Sequence, residues 1–285
     1  MINLNKPSLK PSLAQPFTAQ QLNLPTNPQQ KHLCVSIARN ISEVAEAQRL
    51  RYKVFAEEMG AELNQNKDVN SRGLNVEGLN VEGLNVEGLD VDGFDVYCDH
   101  LLVRDNATGQ VIGTYRILSP HQAFAAGGYY SAGEFDLTRL SHLFGNTVEL
   151  GRACVHKNYR NGGTISMLWA GLAKYMQQHN YEYMIGCASV PMTDGGHMAA
   201  SLYHKLKDDY LSPPEYRVFA HNPLPITALK NDVQVVCPPL IKGYMRLGAY
   251  ICGAPAWDAS FNTADMLVML PISKINQKYA AHFLK

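Results

Sequence analysis

The amino-acid sequence predicts one α/β domain with a mixed central sheet. Strand-like apolar runs and helical periodicity alternate in the order β-α-β-β-β-α-β-α, which is the pattern of a layered α/β fold. At its centre, residues 147–176 pass from an apolar strand through a glycine turn into a helix whose apolar positions are Ile165, Leu168, Trp169, Leu172, Ala173 and Met176. A hydrophobic content of 46% with 18% charged residues supplies the core that such a domain of 285 residues needs.

Residues 1–31 are rich in Pro, Gln and Asn and carry no period, so they read as a disordered arm, leaving 32–285 for the domain. Leu33 to Ala38 reads as the first strand. Asn40, with Glu43 three residues later, starts a helix that runs to Met59 and Gly60. Arg51 and Phe55 stand at i, i+4 on this helix, where spacing alone makes Arg51 a solvated charge.

From Gly73 to Tyr97 the chain repeats a pentad: Gly-Leu-Asn-Val-Glu three times, then two variants rich in Asp. Five short units are too few for a solenoid, so 73–97 reads as a loop insertion. Asp92, Asp95 and Asp99, with Glu77, Glu82 and Glu87, make this edge acidic and suited to a cationic small molecule. Cys98 to Arg104 and Val111 to Leu118 form a hairpin that carries Arg116. A glycine-rich loop (125–133) and a short helix near Leu137 to Leu143 precede the central strand. Beyond the central helix come a strand at Tyr183 to Val190 and a helix at Asp194 to Asp208. A C-terminal extension, 211–285, adds a helix started by Pro238, a strand at Asp265 to Pro271 and an amphipathic helix at Ser273 to His282.

The central strand holds two charges, Glu149 and Arg152, which regular alternation would point to opposite faces. For both to serve one site the strand must bulge, and Gly151 is where a bulge is cheap. Such a break also frees backbone N–H groups near Cys154 and Val155 for a developing oxyanion. On composition alone, a buried structural ion pair explains Glu149 and Arg152 as well as catalysis does. The turn from Arg160 to Thr164 opens a helix, and helix N-termini favour anions.

Lys plus Arg equals Asp plus Glu at 25 each, which gives no electrostatic reason to expect nucleic acid. The six cysteines form no Cys-x-x-Cys pair and read as buried free thiols of a reducing cytoplasm. No His/Cys/Asp cluster has metal-ligand spacing, so no metal is expected. Cys154 as a nucleophile would need a base, and His156 is its neighbour only in sequence. No apolar run approaches the roughly 20 residues of a membrane span.

The string Val155 to Ile165 resembles the strand-to-helix motif of the GCN5-related N-acetyltransferase (GNAT) superfamily, whose fold is a mostly antiparallel mixed sheet flanked by helices. The resemblance implies that Val155, Arg160, Gly162, Gly163 and Thr164 hold the phosphate of a phosphopantetheine arm. Ile165 stands where that motif has Gly or Ala, which suits relatives that use acyl carrier protein rather than acyl-CoA. A second set, Arg51, Phe55, Asp92, Asp95, Arg116, Glu149 and Arg152, is similar to the polar signature of the acyl-homoserine-lactone synthase branch. Closer still, residues 98–103, 149–156, 186–189, 238–249 and 254–258 resemble the hemolysin-like ornithine–acyl-carrier-protein N-acyltransferases of ornithine-lipid synthesis.

This likeness implies transfer of a (3-hydroxy)fatty acyl group from acyl carrier protein to the α-amine of ornithine or a similar basic amino acid, with no permanently bound cofactor. Glu149 is then the proton acceptor, with Arg152 beside it, and Tyr203 protonates the leaving thiolate. Arg51, Arg116 and Arg152 clamp the acceptor carboxylate or brace the acidic loop, with Phe55 alongside. Asp92, Asp95 and Asp99 meet the cationic side chain. The expected setting is cytoplasmic, with peripheral membrane contact through the product. The alternatives are an acyl-homoserine-lactone or other N-acyl-amino-acid synthase, and a non-catalytic lipid-binding protein.

Overall fold

A computed structural model describes residues 32–61 and 88–275. The expected arm (1–31), the first three pentads with Glu77, Glu82 and Glu87, and most of the expected closing helix lie outside the described residues.

An eight-stranded sheet runs through the described chain in the order β1 (Leu33–Ile37), β2 (Asp99–Asp105), β3 (Val111–Leu118), β5 (Thr147–Val155), β6 (Tyr183–Pro191), β10 (Thr263–Pro271) and β8 (Tyr250–Ile251), with β9 (Ala256–Asp258) also paired to β10. Two short strands, β4 (Phe135–Asp136) and β7 (Phe219–Ala220), pair apart from it. Every pairing in the large sheet is antiparallel except β5 with β6. The sheet is therefore mixed and mostly antiparallel, as expected.

The helices are α1 (Ile41–Tyr52), α2 (Pro120–Ala125), α3 (Gly163–His179), α4 (His197–Tyr210) and α5 (Pro239–Leu247). Asn40 caps α1 by accepting the Glu43 N–H at 3.0 Å. This helix does not run on as regular α-helix to Met59. Its ladder widens into π-helical turns over Lys53–Glu58 before Gly60, at φ 74°, ends it. The short helix expected near 137–143 is a 3₁₀ segment, Thr138–Asn146.

Both faces of the sheet are covered, so β3 and β10 are buried along their whole length. On one face Val35, Leu101, Tyr115, Ile117 and Val148 pack under α3. Helices α4 and α5 cover its continuation, where Val190, Ala264, Met266 and Val268 lie. Helix α3 is buried beyond the single stripe its periodicity predicts, because Gly171 brings its backbone close to Leu101 and Val35. On the other face Leu118, Ile185, Leu267 and Met269 lie beneath the segment 119–146.

Strands β5 and β6 pair only from Thr147–Glu149 to Tyr183–Ile185 and then part. The wedge between them is lined by Leu150, Gly186 and Cys187 and continues between α3 and α5, past Trp169, Leu172, Ala173, Tyr244 and Leu247. This apolar cavity, counted together with the solvent-open space at its mouth, has about 730 Å³ free of protein atoms.

Candidate active site

Three arginines and three aspartates form one buried network beside the wedge. Asp95 accepts from Arg51 at 2.8 and 3.1 Å, from Arg116 at 3.1 Å and from Gln48 at 3.0 Å. Asp92 pairs with Arg116 and, at 2.9 Å, with Arg152. Asp90 pairs with Arg51 at 2.7 Å and stands 3.2 Å from the Arg152 Nε. Arg51 is fully buried, which corrects its reading as a solvated charge; its neighbours arrive from 39 and 44 residues away, beyond the reach of helical spacing. Burial alone would raise the Asp92 and Asp95 carboxyls, but the facing guanidiniums hold both below the usual range. Equal numbers of opposite charges make the burial tolerable.

Strand β5 bulges where the spacing of its charges requires. Arg116 pairs with Gly151 and Thr114 with Cys154, so the single residue Tyr115 faces both Arg152 and Ala153. The left-handed turn falls on Arg152 itself, at φ 49°, rather than on Gly151. The extra residue swings Arg152 onto the face that Glu149 already occupies. There the Arg152 guanidinium lies 5.3 Å from the Tyr130 ring centre and 4.7 Å from that of Phe261. Glu149 reaches the same turn, accepting the Tyr130 N–H at 2.5 Å and the Ser131 N–H at 2.8 Å. Burial raises its carboxyl pKa, with these two donors and Arg116 opposing the rise. A buried carboxylate made more basic, opposite the cavity-lining Ile185, is suited to accepting a proton.

The remaining expected residues are distributed as follows. Asp99 points away from the network and accepts the Tyr175 hydroxyl at 2.7 Å. With Asp92 and Asp95 held by arginines as well, these three do not form the open acidic edge expected for a cationic side chain. Phe55 packs against the core between α1 and β2. Tyr203 is buried in the α4–α5 core with Ala188 and Val190, and burial raises its pKa, so its hydroxyl stays protonated at neutral pH. Arg160 donates to the Val155 carbonyl at 3.0 Å and pairs with Glu58 at 2.6 Å. Gly162 takes φ 90° to start α3, Asn161 accepts the Gly163 N–H, and Thr164 is buried beneath the turn. Burial pushes the Cys154 thiol up to about 12, and His156 lies against Lys53, which leaves no activated cysteine there.

Several site residues escaped the sequence reading. Asp90 has a usable signal: the third pentad position changes from Asn75, Asn80 and Asn85 to Asp90 and Asp95 where the repeat joins the network. Tyr130 and Ser131 act through backbone N–H groups, which carry no signature of residue type. Glu134, Cys187 and Asp265 come from three separate elements, yet their ligand atoms lie within 4.8 Å of one another. Among the described residues this is the one group whose composition and spacing could hold a metal ion.

The sequence profile of the acetyltransferase (GNAT) domain matches residues 75–170. An L-ornithine N(alpha)-acyltransferase of Agrobacterium fabrum is 37% identical over 264 residues, spanning 87% of this chain and 83% of its own. One from Brucella abortus is 36% identical across 87% and 88% of the two chains, and one from Rhodobacter capsulatus 30% identical across 88% and 94%. Among solved structures, the AHL synthase LasI superposes with a TM-score of 0.48 at 15% identity, over 88% of this chain and 94% of that one. At such identity over nearly the full length of its relatives, the chain belongs to the L-ornithine N(alpha)-acyltransferase family, enzymes built on the acetyltransferase (GNAT) domain.

Proposed function

We infer that the chain transfers a 3-hydroxy fatty acyl group from the thioester of acyl carrier protein to the α-amine of ornithine, the opening step of an ornithine lipid. The observation that carries this reading is the position of Glu149 in the ladder: it stands opposite Ile185, a cavity-lining residue, at the step where β5 and β6 part. A cavity with that lining suits a hydrocarbon chain, and the parting of β5 from β6 gives a thioester arm a way in.

An α-ammonium group titrates near 8 and is not nucleophilic while protonated. Glu149 takes its proton, directly or through a water, and the amine attacks the thioester carbonyl carbon. The tetrahedral intermediate then passes its surplus N–H proton to water and expels the thiolate as the amide forms, and Tyr203, protonated at neutral pH, is the proposed donor to sulfur, regaining its proton from solvent. Of the three network arginines, Arg152 is the most exposed, at 12% of its side chain. It is therefore our choice to meet the acceptor carboxylate, while Arg51 and Arg116 brace the aspartates. Arg160, Gly162, Gly163 and Thr164, with the Val155 backbone, are the proposed seat for the phosphate of the carrier's arm. Among the described residues no helix is long and apolar enough to cross a membrane, so contact with lipid would be peripheral and through the product.

The test incubates purified protein with 3-hydroxyacyl-carrier protein, or the matching acyl-CoA, and a panel of amino acids, with mass spectrometry for the amide. Product with ornithine and the carrier thioester supports the reading. Product only with another acceptor, or full activity in Glu149→Ala, overturns it.

A further inference from the structure

The acidic edge expected at Asp92, Asp95 and Asp99 is spent on partners within the protein, yet a basic acceptor still needs a counter-charge. Among the described residues, carboxyl groups without a basic partner gather at one place near Glu149. Glu134, on the turn that follows Ser131, and Asp265, on β10, approach each other around Cys187, with Asp258 close enough to repel them. No arginine, lysine or histidine pairs with any of these three carboxylates within 4.0 Å among the described residues. By contrast, Asp90, Asp92 and Asp95 each have two arginines close by.

Ser131 is a second polar group beside Glu149. It is fully buried, and its hydroxyl lies against the Glu149 carboxylate without hydrogen-bond geometry to any group. Its N–H is bound by Glu149, and its carbonyl accepts the Glu134 N–H, so this residue links the two carboxylates. An unsatisfied buried hydroxyl is rare in native proteins and calls for a polar partner.

The spacing fits one class of ligand. Glu149 stands opposite Ile185 in the ladder, and Cys187 lies two residues farther along β6 on the same face, a step of about 7 Å from Ile185. The two amino groups of ornithine are separated by roughly 5–6 Å at ordinary bond lengths. An α-amine at Glu149 thus puts the side-chain ammonium beside Cys187, between Glu134 and Asp265. Cys187 is no competing cation and no thiolate: burial and the surrounding carboxylates push its pKa well up, and its thiol points at Glu134 from 3.8 Å.

We propose that Glu134 and Asp265, with Asp258 behind them, form the specificity pocket that receives the side-chain ammonium of the acceptor amino acid. The inference rests on the acyltransferase reading and deepens it, from "a basic amino acid" to the residues that require the second amine. Burial, and then the neighbouring Asp265 and Asp258, raise the Glu134 carboxyl pKa to about 9, so that at neutral pH it holds a proton which an incoming ammonium group would displace.

The test compares ornithine with norvaline, which has the same carbon chain and lacks the side-chain amine, in the wild type, Glu134→Gln and Asp265→Asn. A site built to bind a charged group rejects the analogue lacking it, so wild-type kcat/KM for ornithine is expected to exceed that for norvaline by at least about 100-fold. In either variant that ratio falls at least about tenfold, through a raised KM for ornithine, while norvaline turnover persists and reports an intact fold. A wild-type ratio near one overturns the proposal without recourse to variants, as does an unchanged ratio in a variant that still turns over norvaline. Wild-type protein inert toward both acceptors overturns the acyltransferase reading itself.

Discussion

Arg152 donates to Asp92 at 2.9 Å across sixty residues of sequence. The contact exists because β5 gains one residue and Arg152 takes a left-handed conformation. That conformation is disfavoured for a residue with a Cβ. The same bulge places Arg152 over Tyr130, whose N–H binds Glu149. The buried network thus fixes the guanidinium that we assign to the acceptor carboxylate.

Asp95→Asn tests the network. Asp95 meets Arg51, Arg116 and Gln48 at once, and removing its charge leaves three buried guanidiniums against two remaining aspartates. Breaking a buried pair from one side costs about 3–5 kcal/mol. A shift of that size in urea denaturation is expected, and a loss below about 1 kcal/mol would show that the network contributes little.

Glu149→Gln keeps the shape of the site and removes the proton acceptor. The expected fall in kcat is about 10²- to 10⁴-fold, the usual worth of a positioned general base. The Glu149 pKa is raised, chiefly by burial, so the acid limb of the wild-type pH–rate profile lies above an ordinary glutamate's value of about 4.3. That limb is absent from the residual activity of the variant. A profile with the same limb in both proteins would assign it to another group.

The sheet, the central helix and the need for a bulge were legible in the sequence because each rests on a local pattern: alternation, helical period, and two charges three apart in an apolar strand. Arg51 was not, since helical spacing describes neighbours on one helix and its partners come from the pentad segment. Glu134, Asp258 and Asp265 were not, because β9, β10 and the turn after Ser131 meet only in the folded sheet. The acidic residues near the pentads were conspicuous as a cluster, but a cluster in sequence does not reveal which cations it already holds.

Glu134→Gln should change the pH dependence of stability in one direction. A carboxyl raised to about 9 in the folded state and near 4.3 when unfolded costs nothing below the lower value. The cost grows as pH rises between the two and is complete above the upper one. The variant cannot ionise, so its stability relative to wild type should be unchanged near pH 4 and improve steadily toward pH 9. Chemical denaturation at several pH values reads this directly. A difference that shrinks with rising pH would mean Glu134 is ionised and favourably paired in the folded protein.

Ala173→Phe tests the acyl cavity. Ala173 faces the space between α3 and α5, lined also by Leu172, Met184, Val268 and Leu270. Phenyl in place of methyl fills part of that volume without adding charge near Glu149, so the reacting end of the site is untouched. The cavity being open space, the stability cost should stay at or below the roughly 1–3 kcal/mol typical of overpacking. Each methylene excluded from an apolar pocket forfeits about 0.8 kcal/mol of transfer energy, or about fourfold in kcat/KM. Selectivity over a donor series of increasing chain length should therefore shift toward shorter chains, with short-chain turnover close to wild type. Uniform loss across the series would place the hydrocarbon elsewhere and leave the wedge as a packing defect.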